Sequence, residues 1–193
     1  MKRIIGLTGG IATGKTTVSN YLANRHQLTV LDADIYARES VQLGSPVLAK
    51  ISDRYGSGVQ LPDGTLNRKG LGEIVFTNPD ERKWLEQQIH PYVRDRFQSE
   101  LNTLVAPTVG LVVPLLFEAG MTDLVTEIWV VSCSPEQQLR RIIERDNLSL
   151  EQAQARLNSQ LPIQEKVTRA DVVLDNSSTP EALLKQVDAA VKS

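Results

Sequence analysis

The feature that most constrains this chain is a run of eight residues near its start. Gly9-Gly10-Ile11-Ala12-Thr13-Gly14-Lys15-Thr16 matches the pattern G-x4-G-K-[ST] in full. It follows an apolar run, Arg3–Thr8, and opens a helical pattern from Lys15 to about Asn24 with Val18 and Leu22 on one face. Glycines at these places let the backbone curl until successive N–H groups face one anion, and the helix start adds the positive end of its dipole. Such a loop holds nucleotide phosphates. The expected nucleotide-binding residues are therefore Gly10, Ile11, Ala12, Thr13, Gly14, Lys15, Thr16 and Thr17. Lys15 is expected at the β- and γ-phosphates, and the Thr16 hydroxyl on the Mg²⁺ that bridges them. The loop alone does not separate a kinase from a GTPase or a mechanical ATPase.

Five short apolar runs read as buried parallel strands: Arg3–Thr8, Leu28–Asp32, Val109–Pro114, Glu127–Ser132 and Val172–Asp175. Helical patterns lie between them, so the fold class is α/β, a three-layer α/β/α sandwich with a five-stranded parallel sheet of the P-loop NTPase type. Ser134-Pro135-Glu136-Gln137 reads as a capped helix start, and so does Ser149 with Gln152. A last helix begins near Thr179-Pro180.

The stretch between the second and third strands is far longer than one crossover helix needs. Its helical patterns, notably Arg82–Ile89 and Tyr92–Leu101, make it a helical insert, and Pro91 is expected to separate the two. A second polar helical insert covers 145–169. The domain reading is a nucleotide-binding core at 1–35 and 104–193, a helical acceptor domain at 36–103, and a lid at 145–169 within the core.

Composition narrows the partners. The 193 residues carry a net charge of -2 and no long basic run, which argues against nucleic acid. One cysteine, Cys133, in an apolar stretch reads as a buried thiol. No run approaches a membrane span and the first residues lack a signal-peptide pattern, so the cytoplasm is the expected location. The sequence leaves the oligomeric state open, with a monomer slightly favoured.

No N-K-x-D guanine-reading motif is present, and no Asp closes the third strand, which reads on into Pro114-Leu115-Leu116-Phe117-Glu118. The second strand instead ends in Leu31-Asp32-Ala33-Asp34. Ligands of open α/β sheets sit beyond the carboxyl ends of the strands. Alternation along an extended segment points Asp32 and Asp34 the same way. One carboxylate is suited to take the attacking hydroxyl's proton and the other to hold a magnesium-bound water, with helix capping the alternative for each. Arg140 and Arg141 sit on the helix after Ser134 and Arg145 follows one turn later. To neutralise the moving phosphoryl group Arg140 ranks first, with Arg145 and Arg156 below it, a solvated helix face being the alternative for each.

Taken together, Ile5-Gly6-Leu7-Thr8-Gly9-Gly10-Ile11, Gly14-Lys15-Thr16, Asp32-Ala33-Asp34, His90-Pro91 with Val93, Pro114–Glu118, Arg145-Asp146 and Asp175-Asn176 resemble the dephospho-coenzyme A kinase family over nearly the whole chain. The resemblance implies an ATP phosphotransferase acting on an alcohol, the ribose 3′-hydroxyl of dephospho-coenzyme A, with ATP and Mg²⁺. It implies Asp34 as the base, with Lys15 and Arg140 at the ATP phosphates. Asp32, Asp34, His90 and Glu118 are implied near the acceptor. A P-loop kinase for a nucleoside or nucleoside monophosphate, or a nucleotide-gated binding protein, stays open at this point.

Overall fold

The computed structural model describes residues 2–193 and divides into two compact units, Met1–Asp32 with Val105–Ser193, and Ala33–Leu104. The division falls between Asp32 and Ala33 rather than after residue 35, so Asp34 belongs with the helices.

In the first unit, strands β1 (Arg3–Gly9), β2 (Thr29–Asp32), β3 (Thr108–Val112), β4 (Glu127–Ser132) and β5 (Val172–Asp175) form one parallel sheet in the order β2-β3-β1-β4-β5. β1 is central, and the chain crosses it between β3 and β4. The loop after β1 therefore leaves the middle of the sheet at its carboxyl edge, where open α/β sheets bind ligands. β3 stops two residues short of the expected Pro114, whose missing N–H cannot extend the ladder.

Alternation along β1 sorts the core. Ile5 and Leu7, both 0% exposed, join Trp129, Val131 and Leu174 beneath helices α1 (Lys15–Arg25) and α9 (Pro180–Lys192), which contribute Val18, Leu22, Leu183 and Val187. On the opposite face Val130 packs with Phe117 and with Ile163 of α8 (Ile163–Val167). Helix α6 (Pro135–Asp146) starts with the Ser134–Gln137 capping box and α7 (Leu150–Asn158) with the Ser149–Gln152 box, each satisfying otherwise orphaned helix-start donors.

The second unit is helical: α2 (Ala33–Glu39), α3 (Pro46–Tyr55), α4 (Arg68–Thr77) and α5 (Pro79–Thr103). Val41, Val47, Ile51, Val59, Leu71 and Val75 form its core, with Trp84, Leu85 and Ile89 of α5 against it. Pro91 does not divide α5. The ring faces solvent, and packing on both sides keeps the helix running: Leu85 and Ile89 before it, Val93 and Phe97 after it. That burial outweighs the roughly 3 kcal/mol a proline costs inside a helix.

Candidate active site

Across the loop after β1, every carbonyl from Gly9 to Thr13 is hydrogen-bonded by a side chain. The Lys15 ammonium donates to the Gly9 and Gly10 oxygens at 3.1 and 2.7 Å. The Thr13 hydroxyl also donates to Gly10 O, at 2.9 Å. Gln138 Nε2 donates to Ile11 O at 2.7 Å, Arg141 Nη1 to Ala12 O at 3.4 Å, and Asn176 Nδ2 to Thr13 O at 2.8 Å. With the carbonyls so committed, the N–H groups of Ala12, Gly14 and Thr16 make no hydrogen bond among the described residues. These donors stand at the start of α1, where the helix dipole favours negative charge. The arrangement is preorganised for a polyphosphate.

The backbone conformation explains the residue types. Gly14 has φ 105°, and a Cβ there would lie 2.4 Å from Asn176 Nδ2. Gly10 has no Cβ because Gln138 Nε2 would lie 2.2 Å from it. Ala12 takes the left-handed conformation without glycine, at φ 59°.

Helix α6 supplies two of the side chains behind the loop, three residues apart and so on one face. Gln138 is 1% exposed. Arg141 reaches Ala12 O and also gives Nη2 to Asn176 O at 3.1 Å. Arg140, the arginine favoured from sequence, turns away from the loop and lies 3.9 Å from Glu144, two-thirds exposed. One residue along a helix is a turn of about 100°, enough to exchange a loop-facing place for a solvent-facing one. Arg145 and Arg156 both bind Asp146, at 2.8 and 2.6 Å, and hold its carboxyl below the usual range, the Arg145 hydrogen bond foremost. Cys133 is buried against Arg141, and burial pushes its thiol up.

Glu118 is committed within this unit. Its Oε1 lies 2.8 Å from the ammonium of Lys166, which is 0% exposed, and accepts the Leu161 N–H at 3.0 Å. Lys166 and the Thr8 hydroxyl both donate to Pro114 O. Sequence reasoning missed Gln138, Lys166 and the role of Asn176. The i, i+3 spacing of Gln138 and Arg141 on a capped helix was the available signal.

Asp32 ends β2, whereas Asp34 lies in the first turn of α2. The extended alternation expected of the pair therefore does not apply, because a helix begins between them. A carboxylate in a first helical turn is also favoured by the dipole.

In the helical unit Asp34 borders a cavity of about 370 Å³. Its wall is mainly apolar, with Val41, Leu71, Val75 and the exposed Phe76, and Arg38 and Arg68 join Asp34 on the lining. His90 is half-buried one residue beyond the lining Ile89, and burial lowers its pKa against a smaller opposing effect of Glu86. Nearby, Arg54 grips Glu81 through two hydrogen bonds of 2.7 and 2.9 Å and Tyr55 donates to it, which holds the Glu81 carboxyl down at about 2.

A phosphate loop between a central parallel strand and a helix, in a five-stranded parallel sheet, defines a P-loop nucleotide-binding protein. The solved shikimate kinase of Bacteroides thetaiotaomicron shares the fold, with a TM-score of 0.55 at 15% identity over 98% of this chain and 96% of that one. A sequence profile of the dephospho-CoA kinase family matches residues 3–181. The dephospho-CoA kinase of Trichormus variabilis is 65% identical over 98% of this chain and 97% of its own length. The solved dephospho-CoA kinase from Campylobacter jejuni superposes with a TM-score of 0.73 at 31% identity, covering 100% of this chain and 96% of that one. The chain belongs to the dephospho-CoA kinase family.

Proposed function

We infer that this chain transfers the γ-phosphoryl group of ATP to the 3′-hydroxyl of dephospho-coenzyme A, giving coenzyme A and ADP. Family membership supports the acceptor. The observation that carries the chemistry is the loop whose carbonyls are all engaged by side chains while the amides of Ala12, Gly14 and Thr16 remain available. The cavity bordered by Asp34 suits the acceptor: apolar walls for an alkyl arm, and Arg38 and Arg68 for a diphosphate.

In this reading the loop amides cradle the phosphates and Lys15 neutralises charge at the β–γ end. Arg141 steadies the loop and lends positive charge behind it. The oxygen of the 3′-hydroxyl bonds to the γ-phosphorus as the bond to the β–γ bridging oxygen breaks. Asp34 takes the hydroxyl proton, and ADP leaves. Asp32 supports the Asp34 segment, and His90 supports the acceptor wall through α5. The residues fit a magnesium ion: the Thr16 hydroxyl is exposed and unbonded among the described residues, and Mg²⁺ characteristically takes one or two protein oxygens beside substrate phosphates. Bound there, the ion neutralises phosphate charge. Within 145–169, Ile163 and Lys166 are seated in the core of the sheet unit, and the part before Gln160 acts as the lid that keeps water from the phosphoryl group. No helix among the described residues is long and apolar enough to cross a membrane.

An ADP-coupled assay with ATP and Mg²⁺ tests the reading, run with dephospho-coenzyme A, adenosine and AMP as rival acceptors. Turnover that depends on dephospho-coenzyme A is expected. Faster turnover with adenosine or AMP, or ADP release independent of any acceptor, would sink it.

A further inference from the structure

The Gln160 side chain touches the phosphate loop from the α7–α8 connection. Its Oε1 accepts the Ile11 N–H at 2.9 Å. Because a backbone N–H only donates, the carboxamide oxygen must face it, which fixes the orientation of the side chain. The Nε2 group then stands about 2.3 Å from that oxygen by the covalent geometry of an amide, and it has no partner among the described residues. Gln160 and Gly10 also border a cavity of about 450 Å³, so there is open space beside the pair.

Which part of a bound nucleotide lies there follows from Lys15. Its ammonium rests on the Gly9 and Gly10 carbonyls, so the charge that meets the β–γ end of a triphosphate sits beside Ile11. The free amides of Gly14 and Thr16 lie further along, at the helix start. Gln160 is therefore at the terminal-phosphate end of the loop.

The connection that carries Gln160 is held in place. The next residue, Leu161, gives its N–H to Glu118, and Glu118 is paired with the fully buried Lys166, which is itself tied to Pro114 O just beyond β3. The sheet edge, through this relay, sets where the carboxamide stands.

We propose that Gln160 binds the terminal phosphoryl group of ATP, its Oε1 anchored on the Ile11 amide and its Nε2 donating to a γ-phosphate oxygen, with Glu118 and Lys166 as positioning residues. Gln160 thereby distinguishes ATP from ADP and strengthens its grip as charge spreads over the moving group. The proposal rests on the reading that the loop holds the ATP phosphates.

The deciding variant is Gln160→Glu in the full-length protein. A carboxylate oxygen still accepts the Ile11 N–H, so the docking persists, but the donor becomes an anion. We expect an unchanged melting temperature and unchanged ADP affinity. ATP affinity falls at least about 10-fold and kcat about 10²- to 10³-fold, the latter being the scale of losing one preorganised oxyanion donor. The defect should be smaller at pH 6 than at pH 8, because a carboxylate beside an anion protonates more readily and then donates again. Gln160→Asn reads the same ATP:ADP affinity ratio without a new charge, and its shorter stem should lower that ratio less than Gln160→Glu does. A wild-type ratio and kcat in both variants overturns the proposal. So does an equal loss of ATP and ADP binding with earlier melting, which would make Gln160 a structural tie only. Lys15→Met, measured alongside, separates the two levels: if it keeps ATP affinity and turnover, the loop reading itself fails.

Discussion

The two units prepare for their ligands in opposite ways. Around the phosphate loop, Lys15 and Thr13 bind the first two carbonyls locally, and polar side chains that arrive from far along the chain bind the other three. Gln138, Arg141 and Asn176 lie 127, 129 and 163 residues from their loop partners. The surface offered to the ligand is backbone N–H, fixed before any ligand comes. Around the helical cavity the walls are apolar side chains, Phe76 is two-thirds exposed, and the charged groups Asp34, Arg38 and Arg68 stand on exposed positions. Every nucleotide presents the same phosphates, so a rigid polar mould serves. In the proposed reading, an acceptor with a long, partly apolar arm is recognised there by shape, with charge placed at the rim.

The comparison breaks most visibly at Asp34. If the base of the reaction belongs to the helical unit while the phosphates belong to the other, Asp34→Asn separates binding from chemistry. We expect kcat to fall by about 10²- to 10⁴-fold, the usual contribution of a general base, with ATP affinity unchanged in a direct titration. Near-normal turnover removes Asp34 from that role. The next effect tests the loop's backing. Arg141→Met removes the hydrogen bonds to Ala12 O and Asn176 O and should lower kcat/KM by about 10- to 100-fold, whereas Arg140→Met should change it by less than about 3-fold. Equal losses in steady-state kinetics of the two variants would return Arg140 to the site.

The rigid mould should also be less forgiving of added atoms. Gly14→Ala combines a φ of 105° with a Cβ only 2.4 Å from Asn176 Nδ2, where backbone strain and collision add. Gly44 in the helical unit has φ 83° and nothing within 4 Å of a Cβ. We expect Gly14→Ala to cost about 2–4 kcal/mol and Gly44→Ala about 1 kcal/mol, read as the difference in denaturant midpoints at equal m-value. Matching midpoints would mean that Asn176 gives way easily and that the loop is softer than its hydrogen bonds suggest.

How much of this was legible beforehand depends on how local the signal is. The loop declares itself because its eight residues are contiguous and each type has a local cause. β4 and β5 were readable to the residue because both are short apolar runs bounded by polar ones. The extended geometry expected to join Asp32 and Asp34 does not hold, since nothing between them marks where strand gives way to helix. Arg140 and Arg141 differ by one step of helical phase, and that phase is set by what α6 packs on. Gln160 and Glu118 meet partners 149 and 43 residues away, and no local pattern announces such a pairing. Pro91 shows the converse: a strong local breaker overruled by Val93 and Phe97 in the core.

The smallest expected effect concerns the apolar character of the helical unit. His90 is half-buried on α5, and the loss of water around it lowers its pKa below the ordinary 6.5, more than Glu86 raises it. The folded chain thus favours neutral imidazole, while the unfolded chain takes up a proton as pH falls through about 6.5. In that window the unfolded state binds more protons than the folded one, so stability falls as pH drops and is restored as pH rises. His90→Gln keeps a polar side chain and removes the titration. Its urea-unfolding free energy between pH 7.5 and 5.5 should fall less steeply than that of the wild type, the gap bounded by about 1.4 kcal/mol per pH unit for one proton. Parallel curves would mean that water reaches His90 freely. The wall beside Ile89 would then be as polar as the phosphate loop's own surroundings, and the contrast between the two units would shrink to their backbones.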